Sequence, residues 1–241
     1  VRLLECGIRS FLVEKPAGLN LTEIGHVSRF IKSIPDANLH VAYNRRFFAS
    51  VIEAERMIEE DGGLTSFHFE FTEVSERVLS KDWPPSVLEN WILGNSSHVI
   101  DLAFFLGGMP KEISSRVNGA LDWHPAGAVF AGTGEMDNGV LFTFLADWKS
   151  AGRWSVDLRT ARRRILLCPL EELSVQWKGS FTSERFLIQN ELDQQFKPGL
   201  YRMTEAFIRS TGDLRRLPTI EEHLAFVTDV ISRIASETVI S

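Results

Sequence analysis

From Ile113 to about Lys178 the sequence offers one β-strand pattern after another, and this series constrains the fold more than any other feature. An earlier segment has the same character. Thr65, Phe67, Phe69 and Phe71 alternate with Ser66, His68, Glu70 and Thr72. Successive side chains of a strand point to opposite faces, so this period of two buries one face and wets the other, with His68 on the polar side. Met136-Asp137-Asn138-Gly139-Val140 predicts a hairpin, because Asn-Gly suits the positive backbone angles of a type I′ turn. Leu141 to Trp148 and Trp154 to Leu158 extend the series. The expected class is α+β: a broad mixed or mostly antiparallel sheet with helices on one face.

The helices are marked by their ends. Asn20-Leu21-Thr22-Glu23, Ser86-Val87-Leu88-Glu89 and Thr219-Ile220-Glu221-Glu222 each read as a capping box. Ile24, Val27 and Ile31 share one face, and so do Val51, Ala54 and Ile58. Gly94-Asn95 reads as an interruption, with a fresh helix from near Ser96 that closes at Gly107-Gly108. Leu200, Thr204, Phe207 and Ile208 read as the inward face of a helix ended by Gly212. Leu224, Val227, Ile231 and Ile234 do the same for the last helix.

Composition excludes several classes. The net charge of the 241 residues is −6, with acids and bases interspersed, whereas a nucleic-acid partner calls for a basic face. The one basic cluster, Arg159-Thr160-Ala161-Arg162-Arg163-Arg164, lies among strands and reads as a turn. Cys6 and Cys168 are too few for a disulfide framework, so a cytoplasmic setting is expected. No apolar run is long enough to span a bilayer. His98 and Asp101 alone do not make a metal site, and none is expected. Gly132-Thr133-Gly134 precedes a hairpin and opens no helix, so it is not a dinucleotide fingerprint.

Chemistry concentrates in three stretches. Phe11-Leu12-Val13-Glu14-Lys15-Pro16 reads as a buried strand stopped by proline, which leaves Glu14 and Lys15 at a carboxyl-terminal strand end, where open α/β sheets place ligands. Tyr43, Asn44 and Arg45 leave the strand Leu39–Tyr43. Asn95-Ser96-Ser97-His98 carries an imidazole, which titrates near neutrality. Asp101, one helical turn on, is placed to set the His98 tautomer, to cap or to face solvent. Arg46 reads as solvated. Lys197 and Tyr201 are candidates for the same cleft.

These stretches resemble, in order, motifs of the glucose–fructose oxidoreductase and inositol dehydrogenase family (Gfo/Idh/MocA). Val13-Glu14-Lys15-Pro16 resembles its Glu-Lys-Pro motif. Ala42-Tyr43-Asn44-Arg45-Arg46-Phe47 resembles the strand that follows, and Asn95 to Asp101 resembles its active-site histidine segment. The resemblance implies an oxidoreductase that uses NAD or NADP on a sugar or polyol hydroxyl. Lys15 and His98 would be catalytic. Glu14, Lys15 and Pro16 would lie beside the cofactor, with Glu14 orienting the lysine or making a structural hydrogen bond. Tyr43, Asn44, Arg45 and Asn95, with Lys197 and Tyr201, would line the substrate cleft and read sugar hydroxyls or a carboxylate.

Two departures qualify this expectation. Gly94 stands where many family members carry an aspartate. No G-x-G-x-x-G loop follows an early strand, and only Val1 to Ser10 precede the Glu-Lys-Pro motif. Residues 1–16 are therefore expected to be the remnant of a nucleotide-binding domain, and 17–241 a substrate-binding and oligomerisation domain that does not hold the cofactor alone. A non-catalytic sugar-binding or dimerisation module is the alternative, and a folded, nonfunctional remnant a third. The family pairs its sheets face to face, so a homodimer is expected, with Phe142, Phe144, Trp148, Trp154 and Trp177 on the open face.

Overall fold

Two sheets of unequal size organise the chain, whose computed structural model describes residues 2–209 and 214–237. In the smaller, β1 (Ser10–Glu14) pairs in parallel with β2 (Asn38–Ala42) across the helix α1 (Leu21–Lys32). β1 is only half-buried along Phe11, Leu12 and Val13, not the fully buried strand its apolar run suggests. The parallel unit that contains the first 16 residues thus runs on to Ala42. Asn20 caps α1 as expected, but the returning arm of Glu23 accepts from the Leu19 amide.

After α2 (Ala49–Glu60) the large sheet begins with β3 (Leu64–Glu70). The π-turn Ile92–Ser96 leads without a break into α3 (Ser97–Gly107). Gly94-Asn95 therefore does not interrupt the helix; it widens it by a residue, a change often found at functional sites. Six strands follow: β4 (Pro110–Asn118), β5 (Val129–Met136), β6 (Leu141–Asp147), β7 (Ser155–Thr160), β8 (Arg163–Leu167) and β9 (Ser174–Trp177). With the short β10 (Ser183–Arg185) they form an open eight-stranded sheet, ordered β10-β9-β8-β7-β3-β6-β5-β4. Within this sheet, among the described residues, only β3 and β6 pair in parallel. The class is α+β, as the strand series requires.

Phenylalanine fills the inner face. Phe67 stacks on Phe142 at 5.3 Å and Phe69 on Phe144 at 5.5 Å, while Phe104 of α3 meets Phe142 edge-on at 5.1 Å. Gly132 and Gly134 of β5 make room for these rings: a Cβ on either would lie within 2.4 Å of the Phe144 or Phe142 ring. The Gly-Thr-Gly sequence is thus a packing device. Phe142, Phe144 and Trp148 are buried here, so they do not form the open face. Register puts Ser66, His68, Thr143, Asp157, Arg159 and Arg164 on that face, with Leu141 58% and Leu145 42% exposed. His68 Nδ1 meets Thr143 Oγ1 at 2.8 Å.

Three local expectations change. The β5–β6 hairpin forms, but only Gly139 has positive φ, which fits a type I turn closed by a glycine bulge and not type I′. Ser86 lies inside the short helix Pro85–Glu89, whose start is set by Pro85 at its first position, so no capping box forms there. In α4 (Leu200–Arg209) the inward residues are Met203 and Ala206, while Leu200, Thr204 and Ile208 face outward. Gly212 lies outside the described residues. Thr219 does cap α5 (Ile220–Phe226) with a complete capping box.

Candidate active site

Lys15, set by the end of β1, crosses to the π-turn. Its Nζ donates to the Gly94 carbonyl, to Asn95 O at 3.3 Å and to Ser97 Oγ at 3.4 Å. Gly94 therefore contributes a backbone acceptor where the family pattern has a carboxylate. Burial, with the nearby Arg45 cation, pushes the Lys15 amine down to about 7, against the pull of Glu14, Glu73 and Asp101. Glu14 itself is exposed and the carbonyls, not this carboxylate, hold the amine.

His98 opens α3 one residue after Ser97. Its Nδ1 is buried with no partner, and its ring lies 6.1 Å from Tyr43 and 6.3 Å from Trp154. Burial and the cations Lys15, Arg45 and Lys197 hold it well below the ordinary histidine range, so it is neutral. Asp101 does not set its tautomer. Asp101 instead makes a two-pronged pair with Arg46, Nε to Oδ2 at 2.8 Å and Nη2 to Oδ1 at 2.5 Å. Arg46 is thereby buried in a pair and not solvated.

Tyr43 is also buried. Its hydroxyl lies 3.2 Å from His223 Nδ1, and His223 Nε2 lies 2.8 Å from the Pro16 carbonyl. That carbonyl only accepts, so Nε2 carries the proton. Burial first lowers the His223 pKa, which leaves Nδ1 an acceptor for the Tyr43 hydroxyl. The chain Tyr43–His223–Pro16 ties α5 to the residue after Lys15. Pro16 thus spends its carbonyl on a structural bond.

A cavity of about 400 Å³ adjoins this cluster, with Arg45, Asn95, Glu73 and Trp154 in its wall. Lys15 and His98 do not line it, but Lys15 bonds the carbonyl of Asn95 and the His98 ring lies 6.3 Å from Trp154, two residues of its wall. The Arg45 guanidinium lies 5.0 Å above the Trp154 ring. Glu73 is 7% exposed and accepts from Ser96 Oγ at 2.7 Å and from Asn95 Nδ2 at 3.1 Å. Burial raises its pKa against those donors. Asn44 Nδ2 donates to Pro198 O at 3.0 Å, anchoring the loop that brings the Lys197 charge near His98. Tyr201 lies elsewhere, stacked on Phe196 at 5.0 Å along the outer groove of α4.

Glu73 and His223 escape sequence reading. Glu73 follows a strand whose alternation gives every polar residue the same weight, and His223 looks like one inward position of an amphipathic helix. A carboxylate just past the end of a phenylalanine-rich strand was the available signal for the first.

The β1–α1 connection holds one glycine, Gly18, where a Cβ would come 2.9 Å from the Ile24 nitrogen. It lets α1 approach its own loop. None of the described strand–helix turns carries the G-x-G-x-x-G spacing. Among the described residues, no group of three His, Cys, Asp or Glu side chains is placed to hold a metal, and no helix is long and apolar enough to cross a membrane.

No protein-family model matches the chain, and no curated protein matches it in sequence. Solved structures do share its fold. The chain covers 96% of its own length and 70% of an inositol dehydrogenase homolog from Azotobacter vinelandii complexed with NAD+, at TM-score 0.71 and 17% identity. UDP-N-acetylglucosamine 3-dehydrogenase GnnA from Acidithiobacillus ferrooxidans matches at TM-score 0.69 and 12% identity, over 97% of this chain and 72% of that one. Levoglucosan dehydrogenase, in complex with NADH and levoglucosan, matches at 0.68 and 18%, over 96% and 73%. The fold is that of Gfo/Idh/MocA-type oxidoreductases.

Proposed function

We propose that this chain carries the substrate side of an NAD(P)-dependent dehydrogenase site that acts on a sugar or polyol hydroxyl. The observation that supports this reading is a desolvated amine, Lys15, gathered with a desolvated imidazole, His98, beside a tryptophan-walled cavity.

What these residues supply is the proton half of alcohol oxidation. A proton acceptor works best when its pKa lies near the working pH. Lys15, brought down to about 7, meets that condition, and His98, held far lower, does not. Lys15 as the neutral amine takes the hydroxyl proton, and His98 hydrogen-bonds the same oxygen. The family resemblance implies the reverse, with the His98 imidazole taking the proton and the Lys15 cation hydrogen-bonding the oxygen. Residues 1–16 read as the closing part of a nucleotide-binding unit whose parallel partner strand follows at Asn38–Ala42, and the chain beyond as the substrate and assembly domain.

Acylation by a water-soluble N-hydroxysuccinimide ester tests the site on the chain itself. Labelling of Lys15, followed by peptide mass spectrometry, is expected to rise with a midpoint near pH 7, against about 10.4 for an ordinary lysine. A sugar or polyol at saturating concentration should protect it. A midpoint near 10, or no protection by any polyol, sinks the reading. A second reading, a sugar-binding module without redox activity, predicts the same protection by polyols.

The open sheet face, with Leu141 and Leu145 exposed among polar neighbours, supports a homodimer formed through it. Sedimentation is expected to give the dimer mass at micromolar concentration, and Leu145→Glu to shift it to monomer. A monomeric wild-type chain contradicts this.

A further inference from the structure

The cavity beside Lys15 and His98 is unusual in charge. Four cations, Arg45, Arg77, Lys81 and Arg153, line it against two carboxylates, Glu73 and Glu171. Among the described residues, no carboxylate lies within salt-bridge distance of Arg45, and the one side-chain bond of its guanidinium is to the neutral amide oxygen of Asn44 at 3.3 Å. Arg45 is nonetheless withdrawn from water: burial pulls its pKa down to about 10 against the pull of Glu171, Glu73 and Glu14. A guanidinium held this way on the face of Trp154 is costly without a bound anion and pre-set for one.

A second, independent observation lies in the tryptophans. Trp83 and Trp91 both line the cavity; the Trp91 indole is turned to the Glu73 carboxylate, while the indole N–H of Trp83 is buried without a hydrogen-bond partner. Trp91 is 6% exposed. Buried donors ordinarily find acceptors, so an orphan in the cavity wall asks for an acceptor on the ligand. The rings of Trp83 and Trp154, each with a cation over its face, complete the wall.

We propose that the ligand of this cavity is a sugar acid, a polyhydroxylated monosaccharide bearing one carboxylate, with that carboxylate held by Arg45 and assisted by Arg153. The planar guanidinium fork matches a carboxylate, and Glu73 and Glu171 in the same wall oppose a group of higher negative charge such as a phosphate ester. Glu73, in the same wall, accepts from ring hydroxyls. The sugar class rests on the functional reading above; the acid is a separate claim.

Binding of D-glucuronate, D-galacturonate, their parent hexoses, myo-inositol and glucose 6-phosphate, followed by tryptophan fluorescence, tests both. A hexuronate is expected to bind about tenfold or more tighter than its parent hexose, the scale of one charge-assisted hydrogen-bond pair. Arg45→Met should bring that ratio near one. Arg153→Gln, at an exposed position where folding is not at stake, should lower it several-fold. Equal binding of hexose and hexuronate, or a preference that survives Arg45→Met, overturns the acid and leaves the sugar site standing. Tighter binding of glucose 6-phosphate overturns the carboxylate in favour of a phosphate. No binding of any of these ligands at tens of millimolar overturns the acid and the sugar reading together.

Discussion

Asp101→Ala is expected to lower the unfolding free energy by about 3–5 kcal/mol, the scale for stripping one partner from a buried ion pair. Asp101 is 2% exposed and the Arg46 side chain 13%. Both prongs of the guanidinium fork are engaged, and its flat face lies over Phe105 at 4.8 Å. With the carboxylate gone, the cation stays in a setting where water replaces little of what was lost. The pair itself is a poor stabiliser, because two desolvated ions regain in attraction roughly what they gave up in hydration. The double variant Arg46→Met with Asp101→Leu should therefore recover most of the loss. Urea unfolding of the four proteins in the cycle decides it. A single-variant loss below about 1 kcal/mol, or a double variant as weak as the single, contradicts the pairing.

Lys15→Met is expected to raise stability, by on the order of 2 kcal/mol at pH 7, and the gain should fade as the pH rises. The native amine binds a proton with a pKa of about 7, and the unfolded chain with about 10.4. Between those values the unfolded chain holds more protons, so the wild type becomes more stable with rising pH by up to about 1.4 kcal/mol per unit. Below 7 the penalty of burying the ammonium is complete; above about 10.5 it is gone. The methionine variant carries no such dependence. The gain is less than the full displacement because the lysine's bonds to Gly94, Asn95 and Ser97 are lost as well. Urea titrations at pH 6.5 and 9.5 measure the closing gap. A difference that does not change with pH means the amine keeps an ordinary pKa. A residue that costs the fold this much fits a site that serves chemistry before stability.

The sheet was legible because its evidence is local. Alternation at Phe67, Phe69 and Phe71 and the Asn-Gly turn each declare themselves within a few residues. What failed was facing. Whether Phe142 looks at a helix or at solvent depends on register with β3, some seventy positions earlier, and a one-residue slip reverses it. Leu200 and Ile208 misled for a related reason: periodicity finds an apolar stripe but cannot say whether a neighbour covers it. At the candidate site, Lys15 and His98 stood out in motifs. Glu73, Arg46 with Asp101, and His223 did not, because each takes its meaning from a partner far along the chain. Gly94 looked like a loss on paper; in three dimensions its carbonyl holds the lysine.

The central position of β3 has a consequence for how the molecule comes together. Its two neighbours are β6 and β7, which begin at Leu141 and Ser155. During synthesis the strand emerges with neither ladder available. Phe67 and Phe69, with Phe71 just past the strand, then wait through the making of at least seventy further residues. Long-range pairing of this kind is slow to nucleate and exposes a sticky edge meanwhile. The nascent half-chain is where this protein is most vulnerable to self-association, and where a chaperone has most to cover.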